Sequence, residues 1–172
     1  MLPPQTRPYV DLPPPTPEET LVWMQRLALM DQDNPQIRDL AEKIVSGVLQ
    51  RDYASEYAAV LNWVRMNVRY VRDPVTIEQV KTPKATMETR AGDCDDMAVL
   101  IASLVGHLGG RSRFSAGAFV RGPTGRPMLA HVWAEAFDPV SGAWIVLDPV
   151  PGRRVHQMLG GTIKRIFHPG VE

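Results

Sequence analysis

A single cysteine, Cys94, stands among the 172 residues, so no disulfide can form within the chain. That fits a reducing compartment and leaves the fold to be held by its core. Surplus charge is missing too: Lys+Arg and Asp+Glu are both 19, a formal net charge of zero. Bulk attraction to nucleic acid or to anionic lipid is therefore not expected. The opening residues MLPPQTRPYV lack the charged start and apolar stretch of a secretory signal, and no run of about 20 apolar residues offers a membrane span. The expected location is the cytoplasm. Metal-ligand spacing is also absent. Cys94 and His107 are thirteen residues apart on one expected helix, about 20 Å of rise, and His156 and His168 stand in a glycine-rich tail without ligand spacing. Gly109-Gly110 and Gly160-Gly161 lack the Lys-Ser/Thr or strand–helix setting of a phosphate loop. Neither a metal nor a cofactor is expected.

What is present is an ordinary globular balance, 44% apolar and 22% charged, in a length that suits one domain with a sizeable core. Residues 1–17 hold seven prolines, which fix φ and remove amide donors, so this stretch reads as an extended arm rather than a core element. It is either a disordered tail or an arm that lies on a neighbouring protein. The main domain spans 18–150. The tail 151–172 carries Arg153, Arg154, Lys164 and Arg165 and is either a solvated basic surface or a contact for an acidic partner.

Within the domain, Thr16-Pro17-Glu18-Glu19 resembles a capped helix start, with Leu21, Met24, Leu27 and Ala28 following at helical spacing. Asn34-Pro35 opens a second helix with Ile37, Leu40, Ala41, Ile44, Val45 and Val48 on one face. A third runs from about Tyr53 to Met66. Another, from Cys94 to Leu108, carries a stripe of Met97, Leu100, Ile101, Leu104, Val105 and Leu108 and stops at Gly109-Gly110. Then the period changes to two. Strands are expected over Arg113–Val120, Met128–Phe137 and Ala143–Leu147, with a turn at Gly122–Gly125, a tight loop around Pro139–Gly142 and a last possible strand at Thr162–Phe167. Helices first and an antiparallel sheet second read as α+β. Trp23, Trp63 and Trp144 read as core, and Trp133 as a cleft residue because it shares the face of His131.

Three residues carry chemistry in this pattern. Gly92-Asp93-Cys94-Asp95-Asp96 puts the only thiol at a helix N-terminus, where unpaired amides favour thiolate and can hold an oxyanion. Gly92 permits close approach of a substrate to the backbone. The flanking aspartates pull the other way, since negative charge raises a thiol pKa. On the strands, His131 and Asp148 can meet. Pairing Phe137 with Gly142 sets them directly opposite, within reach of an imidazole–carboxylate hydrogen bond. A carboxylate that orients an imidazole, and an imidazole that takes the thiol proton, are what nucleophilic catalysis by cysteine needs.

The runs Arg90–Ala98, Leu108-Gly109, His131-Val132-Trp133-Ala134-Glu135 and Trp144–Pro149 resemble the transglutaminase-like superfamily: G-x-C at a helix start, H-x-W on a strand and D-P after the next strand. Trp63-Val64 to Arg69-Tyr70 resembles the family's helix-to-strand entry. The resemblance covers roughly 53–150. It implies a papain-like α+β fold, with Cys94 as nucleophile, His131 as base and Asp148 as orienting acid, and acyl transfer through a thioester. The amide substrate is a peptide or protein. Water as acceptor, giving a peptidase or amidase, is preferred over an amine, which would give a crosslinker. Gln79 is a weak candidate for an oxyanion donor, its alternative being a plain exposed polar residue. Small phage and prophage members carry a GDCDD-type motif, which implies a virion-associated role as one setting. A non-catalytic structural or interaction protein on the same scaffold is the competing reading.

Overall fold

The computed structural model describes residues 8–12, 17–73, 78–121, 127–150 and 163–164. The Thr16 cap, the Gly122–Gly125 turn, most of the proline-rich arm and nearly all of the basic tail lie outside them. In chain order the elements are β1 (Tyr9–Leu12), α1 (Pro17–Met30), α2 (Pro35–Val45), α3 (Tyr53–Asn67), β2 (Arg69–Tyr70), β3 (Glu78–Lys81), α4 (Pro83–Thr89), β4 (Ala91–Gly92), α5 (Cys94–His107), β5 (Ser112–Arg121), β6 (Pro127–Asp138), β7 (Ala143–Leu147) and β8 (Ile163–Lys164). This is the expected α+β order.

Local chemistry sets the helix starts. Asn34 accepts from the Gln36 amide at 3.0 Å, with Pro35 in the first turn. Asp52 accepts from Ser55 N at 3.2 Å. Thr82 accepts from Ala85 N at 3.2 Å and is followed by Pro83, so α4 opens as α2 does. Helix α4 ends on Arg90 with φ 52°, in the left-handed region.

Helix α5 is the centre of the molecule. It packs against α1, α2, α3, α4 and β6, and every residue from Asp95 to Val105 is buried. The expected single stripe understates this: Ala98, Val99 and Ala102 are enclosed as well, as in a helix covered on all sides. Leu21, Met24 and Leu27 of α1, Ile37 and Ala41 of α2, and Tyr57, Val60 and Val64 of α3 complete the helical core.

The sheet has the order β7-β6-β5-β8 with antiparallel neighbours. Two small sheets flank α5: β2 pairs with β4 in parallel, and β1 pairs with β3 antiparallel. The second pairing corrects the reading of the arm. Its residues Tyr9–Leu12 are extended, as proline-rich flanks suggest, but they form a strand on this chain's own β3, and Val10 packs on the core. The β6–β7 loop is Pro139–Gly142, held by Asp138, which accepts from Val140 N at 2.8 Å and Ser141 Oγ at 2.6 Å. Gly142 has φ 71°, a conformation open to glycine.

Candidate active site

Cys94 opens α5, is partly exposed, and takes part in no disulfide. Helix α5 packs on β6, the strand that carries His131.

His131 and Asp148 do meet. His131 Nε2 lies 2.8 Å from Asp148 Oδ2, with both residues about 5% exposed or less. The route differs from the expected register. Asp138 pairs with Ala143 and Phe137 with Trp144, so the loop takes its four residues one position further along. Asp148 follows Leu147, which is opposite Ala134, and reaches His131 on the diagonal instead of straight across. A carboxylate can only accept, so the bond places a proton on Nε2 and leaves Nδ1 as the basic nitrogen of the neutral ring. Asp148 is itself fixed. Its Oδ1 accepts from Val150 N at 3.0 Å, and its carbonyl accepts from the Arg65 guanidinium of α3 at 2.6 Å.

Trp133 corrects the expectation of a cleft residue. It is 0% exposed and lies near-parallel to His131, ring centroids 5.9 Å apart and planes at 28°. It backs the imidazole and offers no face to a substrate. Trp23, Trp63 and Trp144, expected as core, are only half-buried, with the guanidinium groups of Arg26, Arg90 and Arg113 over their rings. Trp133 donates from Nε1 to Glu135 Oε1 at 3.1 Å. Glu135 is buried, and also accepts from Ser115 Oγ at 3.0 Å and from Arg113 Nε at 2.6 Å, with an Arg113 ion pair on the same oxygen. Arg113 is its directly paired neighbour on β5. Glu135 is not among the site residues expected from the sequence, although a charged residue in phase with His131 and Trp133 is the signal available there.

Around Cys94 the acidic run is divided. Asp96 Oδ1 accepts from Lys81 N at 2.7 Å and Oδ2 lies 2.5 Å from Lys81 Nζ. Oδ2 also accepts from Asp93 N at 3.3 Å, one arm of the capping box that starts α5. Burial pushes Asp96 up to about 6 against the pull of Lys81. Lys81 loses from burial as well, but its hydrogen bond and charge contact with Asp96 leave it raised. The two shifts point in opposite senses for the bridge. The fully buried carboxylate pays more for desolvation than the partly exposed ammonium, so the bridge restrains Asp96 without fully offsetting its burial. Asp93, Asp95 and Asp96 bring one oxygen each within 4.8 Å of one another. With Lys81 already seated on Asp96, this acidic group is not assigned as a cation site.

Gly92 owes its identity to Asp96: a Cβ there would sit 2.6 Å from the Asp96 Cβ and 2.8 Å from Oδ2. Substrate approach is not needed to explain it. Gln79 is half-buried on β3, and its backbone N–H donates to the Asp73 carboxylate. On the same strand Lys81 is tied to the Cys94 turn through Asp96. Tyr70, unremarked in the sequence as a site residue, pairs with Gly92 and is 38% exposed. Burial raises its phenol, with the negative charge of Cys94 and Asp93 adding to the effect. A groove of about 420 Å³ beside Trp63 and Arg90 and a pocket of about 200 Å³ beside Ser103 and His107 are lined by none of Cys94, His131 or Asp148.

No helix among the described residues is long and apolar enough to cross a membrane. Among solved structures, the chain resembles a candidate cysteine protease from Cytophaga hutchinsonii, at 22% identity and TM-score 0.59, over 91% of this chain and 53% of that one. It also resembles a candidate protease from Parabacteroides distasonis, at 13% identity and TM-score 0.56, over 77% of this chain and 27% of that one. The chain thus spans about half of the first protein and about a quarter of the second, and the likeness is one of fold. No curated protein matches it. The model of the transglutaminase-like superfamily core matches residues 38–149, which takes in Cys94, His131 and Asp148, and the chain therefore belongs to that superfamily.

Proposed function

We propose that this chain is a thiol-dependent acyl-transfer enzyme acting on an amide bond of a peptide or protein. The observation that carries the reading is the buried 2.8 Å His131–Asp148 pair, on a strand packed against the helix that begins with the only cysteine. In this scheme Cys94 Sγ gives its proton to His131 Nδ1 and attacks the amide carbon. Amides of the first turn of α5 face the developing oxyanion. The imidazolium, held by Asp148, then protonates the leaving amine, and a thioester remains on Cys94. Water activated by His131 hydrolyses the thioester, and we prefer this outcome to transfer onto an amine because water is the default acceptor.

Two measurements test the proposal. The pH dependence of Cys94 alkylation should show a thiolate titrating below the free-cysteine value of about 8.5, and His131→Ala should move it back toward that value. An ordinary thiol indifferent to His131→Ala would defeat the reading and favour a non-catalytic scaffold. Product mass spectrometry with a lysine-analogue amine present separates the acceptors: free acid supports hydrolysis, and an amine adduct makes the protein a crosslinker.

A further inference from the structure

Three aspartates beside one thiol are hard to reconcile with a nucleophile if all three are charged, because nearby negative charge holds a thiol protonated. Asp96 is compensated by Lys81. The other two remain. Asp95 is 1% exposed. Its Oδ1 accepts from Asp96 N at 2.7 Å, whereas its Oδ2 is enclosed and reached by no donor among the described residues. Asp93 Oδ1 is enclosed in the same way, and the two carboxyl groups belong to the group whose oxygens lie within 4.8 Å of one another. Two enclosed anionic oxygens without donors are a costly arrangement. One proton placed between them satisfies both.

We infer that Asp93 and Asp95 share a single proton at neutral pH, and that this acid–carboxylate pair is a positioning device for the thiol. The inference rests on Cys94 being the nucleophile. Asp95 stands well above the ordinary carboxylate range, first through burial and then through the hydrogen bond and charge of Asp93, with Asp96 and Cys94 adding. The charged or titratable groups that act on this turn are Cys94 and Asp96 on α5, Tyr70 of β2, and Lys81 of β3, on which Asp73 also acts. With Asp96 matched by Lys81 and one proton on the pair, the turn carries one surplus negative charge instead of three. The amides at the start of α5 and the imidazole then have far less to oppose in stabilising thiolate.

The test is isotope-edited infrared spectroscopy of the full chain labelled at the aspartate side-chain carboxyl, at neutral pH. A protonated-acid band is expected in the wild type, with and without chelator, and its loss is expected in both Asp95→Asn and Asp93→Asn. Asparagine is as good a helix cap as aspartate, so Asp93→Asn keeps the test open if Asp95→Asn does not fold. No band in the wild type overturns the inference. A band that appears only after chelation also overturns it, since a cation and not a proton would then bridge the pair. The alkylation profile gives the second reading. Asp95→Asn mimics the neutral acid, so the Cys94 midpoint should stay where it is in the wild type. A fall of about one unit or more, as removal of an adjacent like charge produces, means that Asp95 was ionised. If instead Cys94 behaves as an ordinary thiol in every variant, the enzymatic reading fails, while the infrared band still decides whether the proton is shared.

Discussion

Two buried acidic clusters invite comparison. On the sheet, one carboxylate, Glu135, is surrounded by donors from Arg113, Ser115 and Trp133. At the start of α5, three carboxylates have one ammonium among them, Lys81, which is paired with Asp96, and two of their oxygens have no donor among the described residues. The first cluster is over-supplied and the second under-supplied. The difference matches their positions: Glu135 holds Trp133, which backs His131, whereas the aspartates flank the thiol of Cys94 at the start of α5. A scaffold carboxylate gains from as many hydrogen bonds as geometry permits.

The largest effect should come from breaking the satisfied cluster. Glu135→Ala strands Arg113 and removes the acceptor for Trp133 Nε1, so unfolding in urea should show a loss of about 3–5 kcal/mol. A loss below about 1 kcal/mol would mean that the cluster is wetter than its burial indicates.

The under-supplied cluster should show itself through pH. Asp95 and Asp96 are raised in the folded state, so their contribution is fully present below the unfolded carboxylate value and is lost as pH rises through the folded values. For Asp96 the window runs from the ordinary 3.8 to about 6, a change on the order of 2–3 kcal/mol. Stability should therefore fall across this range, and keep falling above it as Asp95 titrates. Lys81→Met should steepen the fall, because the ionised Asp96 loses its partner, while having little effect near pH 4. Urea midpoints for wild type and Lys81→Met at several pH values check this, and parallel curves would refute it.

The smallest effect lies away from both clusters. Tyr57 Oη donates to the Phe137 carbonyl at 3.1 Å, and burial pushes its phenol up to about 12. Tyr57→Phe should lose about 1 kcal/mol in the same unfolding measurement and leave the Cys94 alkylation profile unchanged. A shift in that profile would show that the helix–sheet contact is coupled to the site.

Much of the architecture is legible along the chain because it rests on local signals. Pro17, Asn34-Pro35 and the Cys94 turn mark helices that the structure contains, and the change of period after Gly110 marks the sheet. Thr82-Pro83 carries the same start signal as Asn34-Pro35, yet α4 went unread, since its seven residues are too few to show a period. The second helix stops at Val45, short of the expected Val48. Strand β1 escaped notice because prolines on both sides hide a four-residue run whose partner lies about seventy residues away.

The sequence by itself determined the helices-then-sheet order of the main elements and the residue types at Cys94, His131 and Asp148, which follow from spacing and short-range chemistry, and its motifs carry the resemblance to the superfamily. Tertiary structure decided the β6–β7 register, and with it the diagonal approach of Asp148 to His131. It decided which tryptophan is enclosed, and that Lys81 and Gly92 serve Asp96. These depend on which side chains meet across elements. Hydrophobic period is blind to that choice where both faces of β6 are covered, as the burial of Trp133, Ala134, Glu135 and Ala136 in succession shows.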